Sequence, residues 1–279
     1  ENKYSYVFII GIIKGKIKEE GNTFIHVLDG YNKKTYYLKY PKESFQVLNN
    51  PLRIIIDKNF FSLSEIKFSN NDSTLQIVGS LKFIDTIDLS NRRLNSGWHV
   101  CIFNGEIIGK LWINSIEMDF TGGKVYIDKT WGKRFLENYI IVQANNFLKS
   151  NVALTLLIEN KSLWWFNCKT LIVGFLYGSN IYKFTTFNKS NVKMKFTSNE
   201  LILTLIHEEN QLIVKTIYNP NDFLNLDVVK GNLKVSITSN TSVELIDLYR
   251  KRLLFQGVSP LSRWEYKGNI KKVYNDYSL

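Results

Sequence analysis

The chain has 279 residues, of which 44% are hydrophobic and 14% aromatic, and it carries a formal charge of +11. This length can bury one large core or two ordinary ones, and two domains are the better expectation for an all-β chain. The two cysteines and three histidines are scattered singly, which argues against a zinc or iron site built from them. We therefore expect no metal and no cofactor.

The positive charge comes from 36 Lys and Arg against 25 Asp and Glu. A surplus of this size attracts nucleic acid or anionic lipid. The lysines, however, are spread through strand-like pieces such as NVKMKF (191–196), which favours solvated strand faces. We expect no nucleic-acid partner, and we keep peripheral contact with an anionic membrane as an alternative, with Trp164 and Trp165 as candidate contacts. No apolar run approaches the ~18 residues of a membrane span, so we expect a cytoplasmic protein, with membrane association as the alternative.

In chain order, short apolar segments alternate with turn residues, as in hairpin-linked antiparallel strands. Turn signals occur at Asp29–Gly30, Asn104–Gly105, Gly122–Gly123 and Asn219–Asp222. Between them we count roughly sixteen strand-like runs. The longer examples are 4–13, 52–57, 75–84, 99–113, 115–120, 181–187, 200–208, 211–218, 232–239 and 242–249.

Helical periodicity is nearly absent from the chain. Residues 41–48 (PKESFQVL) could form a short helix, and residues 149–160 (KSNVALTLLIEN) fit either a helix or a strand. The sequence therefore predicts an all-β protein built from two up-and-down antiparallel sheets or barrels. We place the domain boundary at the Trp131–Gly132 bend, which gives domains at 1–130 and 131–279. Ligand pockets favour such junctions.

Residues 122–147 (GGKVYIDKTWGKRFLENYIIVQANNF) place polar side chains in otherwise apolar strands. Such side chains are costly when they are buried without partners, so this stretch predicts a site. Alternation along a strand puts Tyr126 and Asp128 on one face of the first strand. On the second strand it puts four polar or aromatic side chains on one face: Tyr139, Gln143, Asn145 and Phe147.

This stretch resembles the signature of the tocopherol cyclase-like family, which runs as GKGYIEKDWG-x-SFP followed by W-x-Q-x-NHF. Weaker similarity extends to FIHVLDG (24–30), LIVGFLY (171–177), YKFTTF (182–187) and SRWEYKG (262–268). The resemblance implies a pair of lipocalin-like β-domains, in a superfamily that includes carotenoid hydratases. It also implies a long hydrophobic substrate, often prenylated.

The chain departs from the family pattern at several positions. Asp128 stands where the family usually has Glu, and Thr130 replaces an acid. The other departures are Leu136 for proline, Ile141 for tryptophan and Asn146 for histidine. Either the substrate differs from that of the family, or catalysis has been lost.

Cyclising a prenylated phenol or hydrating a polyene begins with protonation of an alkene. This step needs a protonated carboxyl group in a dry pocket, with aromatic rings near the developing cation. The hypothesis is that Asp128 is the acid and that Tyr126 and Trp131 face the cation. Further ligand contacts are expected from Gln143 and Asn145 at the polar head of the substrate, with Lys129, Tyr139, Phe147 and Glu265 as additional candidates.

Each candidate also has a structural interpretation. Asp128 and Lys129 could close the turn at Gly132, with Trp131 as a core residue, and Glu265 could pair with Arg263 or Lys267. The first functional hypothesis is a cofactor-independent, acid-catalysed cyclase, isomerase or hydratase of a prenylated or polyene hydrophobic molecule. The second is a carrier that binds such a molecule unchanged.

Overall fold

A computed structural model of the chain describes residues 4–14, 21–89, 97–131, 138–163, 166–226, 233–269 and 273. These residues divide into two compact units, one of residues 1–88 and 100–128 and the other of residues 89–99 and 129–279. We call them unit 1 and unit 2. The predicted domains, 1–130 and 131–279, stay a prediction.

The regular secondary structure of the described residues is almost entirely β-strand, which confirms the predicted all-β class. The first strands are β1 (Tyr6–Lys14), β2 (Gly21–Asp29), β3 (Lys34–Tyr40), β4 (Phe45–Leu48), β5 (Arg53–Ile56), β6 (Asn59–Ser62), β7 (Glu65–Asn71), β8 (Gln76–Ile87), β9 (Trp98–Ile113), β10 (Ile116–Asp119) and β11 (Lys124–Thr130). The later strands are β12 (Tyr139–Ala144), β13 (Val152–Leu163), β14 (Phe166–Tyr177), β15 (Asn180–Thr185), β16 (Asn191–Phe196), β17 (Glu200–His207), β18 (Asn210–Ile217), β19 (Leu224–Asn225), β20 (Lys234–Asp247) and β21 (Arg252–Lys267). Single turns of 3-10 helix cover Lys42–Ser44 and Pro220–Asp222.

Unit 1 packs a three-stranded sheet, in the order β1-β2-β3, against a sheet in the order β10-β9-β8-β7-β6-β5-β4, in which β11 also pairs with β9. Both sheets contribute to one hydrophobic cluster, which includes Val27 from β2, Phe68 from β7 and Leu111 from β9. Shared burial of this apolar surface holds the two sheets together.

Unit 2 is one antiparallel sheet, in the order β15-β14-β13-β12-β21-β20-β18-β17-β16. Phe184 from β15 and Met194 from β16 come from opposite ends of this order, yet both lie in the same hydrophobic cluster. The sheet therefore curls around a single core. Register shifts along β20, between Ser236 and Ser239 and again near Leu245, are irregularities of the kind that bend a sheet.

The burial of each strand follows its apolar pattern. In β17, Leu201, Leu203 and Leu205 are buried and alternate with partly exposed residues, as expected for a strand with one face on the core. In β12 the apolar run is continuous, and Ile140 and Ile141 are both buried although they point to opposite faces. The sheet is therefore covered on both sides at β12.

An aromatic stack fills part of the unit 2 core. The rings of Tyr218 and Trp264 are 5.0 Å apart and nearly parallel, and the Phe196 ring lies 6.2 Å from Trp264. The Tyr218 hydroxyl donates to the carbonyl of Thr197 at 2.9 Å. Burial raises the pKa of Tyr218 well above its usual range, with a further contribution from nearby Tyr266.

The structure resolves two segments that the sequence left open and corrects one predicted turn. Residues 41–48 form a single 3-10 turn followed by β4, and not a short helix, while the ambiguous residues 149–160 lead into strand β13. The predicted turn at Asn104–Gly105 is wrong, because β9 continues through it. A side chain at Gly105 would meet Val125 Cγ1 at 2.9 Å, so this glycine serves close strand packing.

Replacing a core leucine of unit 2 should lower its stability. Leu203→Ala is expected to reduce the free energy of unfolding by about 2–5 kcal/mol, because the cavity is left in a fully buried cluster. The control Leu148→Ala removes the same atoms from a fully exposed position and should change stability by about 0.5 kcal/mol or less. Urea unfolding measures both variants, and equal losses would contradict the assigned core.

Candidate functional site

Strand β11 carries Tyr126 and Asp128 on the same face, as predicted. The Tyr126 hydroxyl lies 3.5 Å from Asp128 Oδ2, a long hydrogen bond in which the phenol is the donor. Both residues are half-buried. Val125 and Ile127 point the other way and pack in or against the unit 1 core. Alternation thus separates a core face from a polar face on this strand.

Trp131 differs from both sequence interpretations. Its side chain is 55% exposed, so it is neither a core residue nor part of a desolvated wall. Lys129 Nζ lies 5.4 Å from the centre of the Trp131 ring, a cation–π contact at the surface. The backbone N–H of Trp131 donates to the carbonyl of Gly97 at 2.8 Å. Gly132 and Leu136 lie outside the described residues.

Strand β12 is shorter than the sequence suggested, and this changes where Phe147 points. The strand ends at Ala144, so strict alternation ends there too. Phe147 packs in the core cluster with Ile140 and Val142, and its ring lies 5.9 Å from that of Phe255. The prediction that Phe147 shares a face with Tyr139 is therefore wrong.

The remaining predicted residues after β11 lie as follows. Tyr139 is buried on the face of β12 opposite the core cluster, and Gln143 lies on the same face and is half-buried. Asn145 follows the strand and is buried. The backbone N–H of the next residue, Asn146, donates to Ser259 Oγ at 3.2 Å. This segment is therefore fixed to the neighbouring strand β21.

The best-defined polar group in unit 2 joins β12 to β21. The Tyr139 hydroxyl donates to Glu265 Oε1 at 2.5 Å, and Arg263 Nε donates to Glu265 Oε2 at 2.9 Å. Arg263 Nη2 contacts the same carboxylate oxygen. The side chains of Tyr139 and Glu265 are only 6% and 5% exposed. The predicted ion pair between Glu265 and Arg263 is thus present, and it includes a predicted site tyrosine.

The strand register places two further ionisable residues beside this group. Tyr139 is directly opposite Glu159 on β13 and directly opposite Lys267 on β21. Glu159 and Lys267 are both buried. Directly opposed residues on neighbouring strands share a face and approach closely. A buried row of Glu159, Tyr139 and Lys267 therefore lies next to Glu265.

Burying several ionisable side chains is costly unless they are paired and hydrogen-bonded. Arg263 contacts one oxygen of the Glu265 carboxyl group, and the phenol of Tyr139 donates to the other. A carboxylate in contact with a phenol can pass or accept a proton, and its negative charge can stabilise a nearby cation. Buried sets of this kind are candidates for functional sites.

Sequence reasoning gave no role to Glu159. Its signal was a carboxylate within the apolar run VALTLLIEN (152–160), where a strand that is buried on both faces would carry it inside. Its alignment with Tyr139 could not be read from the sequence, because register across β12 and β13 depends on the pairing.

Other parts of the described structure have fewer features of a functional site. No group of three or more His, Cys, Asp and Glu side chains among the described residues could hold a metal ion. Unit 1 has an open groove of about 650 Å³ that contains none of the predicted site residues. Its lining is Pro51, Leu52, Arg53, Phe60, Ser62, Leu63, Ser64, Glu65 and Lys67.

The sequence profile of the tocopherol cyclase-like family matches residues 90–200. This match confirms the predicted resemblance over a segment that contains β11 and β12. A comparison with curated protein sequences gives no match.

Two solved structures have the same fold over most of the chain. Kievitone hydratase from Nectria haematococca is similar with a TM-score of 0.56 and 10% identity, covering 95% of this chain and 85% of the hydratase. A putative AttH protein from Nitrosomonas europaea is similar with a TM-score of 0.58 and 10% identity, covering 95% of this chain and 86% of that protein. The predicted lipocalin-like fold is thereby confirmed, and at this identity the similarity extends to the fold alone.

The Glu265 pair should matter far more for stability than a surface ion pair. Glu265→Gln is expected to lower the free energy of unfolding by about 3–5 kcal/mol, because it removes the carboxylate from a largely buried ion pair. The matched control is Glu200→Gln, which breaks a more exposed ion pair with Lys215 at 3.1 Å and should cost about 1 kcal/mol or less. Similar losses in urea unfolding would show that the Glu265 pair is solvated.

Proposed function

We propose, from the tocopherol cyclase-like resemblance of residues 90–200, that this protein is a cofactor-independent enzyme that protonates a prenylated or polyene hydrophobic molecule. The products are those of cyclisation, isomerisation or hydration. One observation carries the proposal: each of the signature strands β11 and β12 bears a tyrosine whose hydroxyl contacts a carboxyl group. The hydratase among the structural neighbours supports including hydration.

Asp128 is the proposed proton donor. Alkenes are weak bases, so the donor must be a neutral carboxylic acid that becomes an anion as the proton leaves. The Tyr126 hydroxyl is placed to donate a hydrogen bond to that anion. In this step the O–H bond of Asp128 breaks, a C–H bond forms, and the substrate becomes a carbocation. Half-burial gives the carboxyl group partial shielding from water.

The carbocation then has three outcomes. Attack by the substrate's own hydroxyl oxygen closes a ring, attack by water gives an alcohol, and loss of a neighbouring proton shifts the double bond. Each outcome releases one proton, which a base must accept to restore the starting state of the enzyme. A protein carboxylate or the Asp128 anion itself can take it.

Glu265 is a second candidate group, which belongs to unit 2, whereas Asp128 belongs to unit 1. It pairs with Arg263, and the Tyr139 hydroxyl lies 2.5 Å from its Oε1. We assign this set the role of a polar ligand contact in unit 2. The amides of Gln143 and Asn145 remain the proposed contacts for a polar head group.

Substitution of Asp128 tests the acid. Asp128→Asn is expected to lower kcat by about 100-fold or more, since an amide cannot transfer the proton. Asp128→Glu is the matched control: it keeps the acid and restores the residue usual in the resembling family, so it should retain activity. The assay incubates each variant with a prenylated phenol and follows products of unchanged mass and products that have gained water.

The same assay separates the two functional hypotheses. Full turnover by Asp128→Asn would exclude Asp128 as the acid. Tight retention of an unaltered prenylated molecule by the unsubstituted protein, with no product, would support the carrier hypothesis over the enzyme. A folded state must be confirmed for each variant by its thermal unfolding transition.

A further inference from the structure

Exposed apolar side chains occur together with cations at one end of unit 2. Tyr249 and Leu253, at the turn between β20 and β21, are 79% and 50% exposed. The residues between them in that turn are Arg250, Lys251 and Arg252, and all three are exposed. Exposed apolar side chains that occur together, with cations beside them, are a mark of an interaction surface.

The turn between β20 and β21 is held in one shape. Asp247 Oδ1 accepts from the backbone N–H of Arg250 at 2.9 Å, and the backbone N–H of Leu248 donates to the carbonyl of Glu209 at 2.7 Å. The Asp247 side chain is largely buried, at 16% exposed, and Arg250 Nε lies 3.9 Å from Asp247 Oδ2. Asp247 is thus used mainly inside the turn, and the basic side chains are presented outward.

Acidic residues also occur near this end. Glu208 and Glu209 are exposed on the turn between β17 and β18, and Glu208 lies 3.7 Å from His207. They form a separate turn from the one that carries the basic residues. The cations of turn 248–251 therefore adjoin acidic residues on one side and the exposed apolar residues on the other.

Lysines on the strand faces lie beside carboxylates. Lys67 pairs with Glu65 at 3.1 Å and Lys110 pairs with Glu117 at 2.6 Å, both across the solvated surface of unit 1. These pairs support the interpretation that many lysines lie on solvated strand faces. The consecutive basic residues of turn 248–251 and Arg252 follow another pattern, because exposed apolar residues flank them.

We propose that this end of unit 2 binds the surface of an anionic lipid bilayer. We call it the docking end and define it as Tyr249, Arg250, Lys251, Arg252 and Leu253. Its cations meet the lipid headgroups, while Tyr249 and Leu253 enter the headgroup–acyl boundary. Apolar side chains beside cations match a lipid surface better than nucleic acid, whose backbone contacts are polar and charged.

The docking end is a different candidate for the membrane contact from the one that the sequence suggested. Sequence analysis pointed to Trp164 and Trp165, which lie outside the described residues. No helix in the described part of the chain is long and apolar enough to cross a bilayer. The proposal concerns a partner of the proposed enzyme, whose hydrophobic substrate would partition into lipid, but its test does not depend on catalysis.

Vesicle binding tests the cationic part of the docking end. Co-sedimentation is measured with phosphatidylcholine vesicles that contain or lack phosphatidylserine. The protein should bind the anionic vesicles, more weakly as salt is raised. Combining Arg250→Ala, Lys251→Ala and Arg252→Ala should weaken this binding about 100-fold. The control combines Lys82→Ala, Lys193→Ala and Lys195→Ala, which removes the same charge from exposed strand positions and should have a much smaller effect.

A second pair of variants tests the apolar part. Tyr249→Ser should weaken vesicle binding about tenfold, because the ring no longer enters the interface. Phe187→Ser, at another exposed loop position, should leave binding unchanged. The proposal is overturned if both triple variants lose binding equally, if vesicle charge makes no difference, or if duplex DNA competes fully at equal salt. Far-ultraviolet circular dichroism of every variant excludes loss of fold.

Discussion

The arrangement of unit 2 depends on a sheet that is buried on both faces at β12, β13 and β21. One face meets the aliphatic and aromatic core, in which Trp264 stacks on Tyr218. The other face carries ionisable side chains that are also shielded from water, including Glu265 and Lys267. Because buried charge must be paired, this second face is restricted to a few compatible residues. Tyr139, Arg263 and Glu265 meet this requirement because Tyr139 and Arg263 both donate hydrogen bonds to Glu265.

The carboxyl groups that contact the tyrosines of the two signature strands differ in how far they are shielded from water. Asp128 is half-buried, and its contact with Tyr126 is long, at 3.5 Å. Glu265 is buried, and its contact with Tyr139 is short, at 2.5 Å. The half-buried carboxyl group is the proposed proton donor, whereas the buried one beside Arg263 is the proposed polar contact in unit 2. The different proposed roles of the two groups follow from this contrast.

The positive charge of the chain has two structural settings. On strand faces, cations such as Lys110 and Lys215 lie beside carboxylates on neighbouring strands, and such exposed pairs contribute little to stability. At the docking end, cations lie beside exposed apolar side chains on a tight turn. The net charge of the chain does not distinguish a solvated surface from an interface. The placement of the cations does.

The sequence by itself determined the all-β class, the family resemblance and the sharing of one face by Tyr126 and Asp128. These features are local, because alternation and turn residues act over a few positions. Only the tertiary structure decided that Trp131 is exposed, that Phe147 joins the core, and that Glu159 faces Tyr139. Strand ends, pairing register and burial depend on residues distant in the chain, and a pattern within one strand does not contain them.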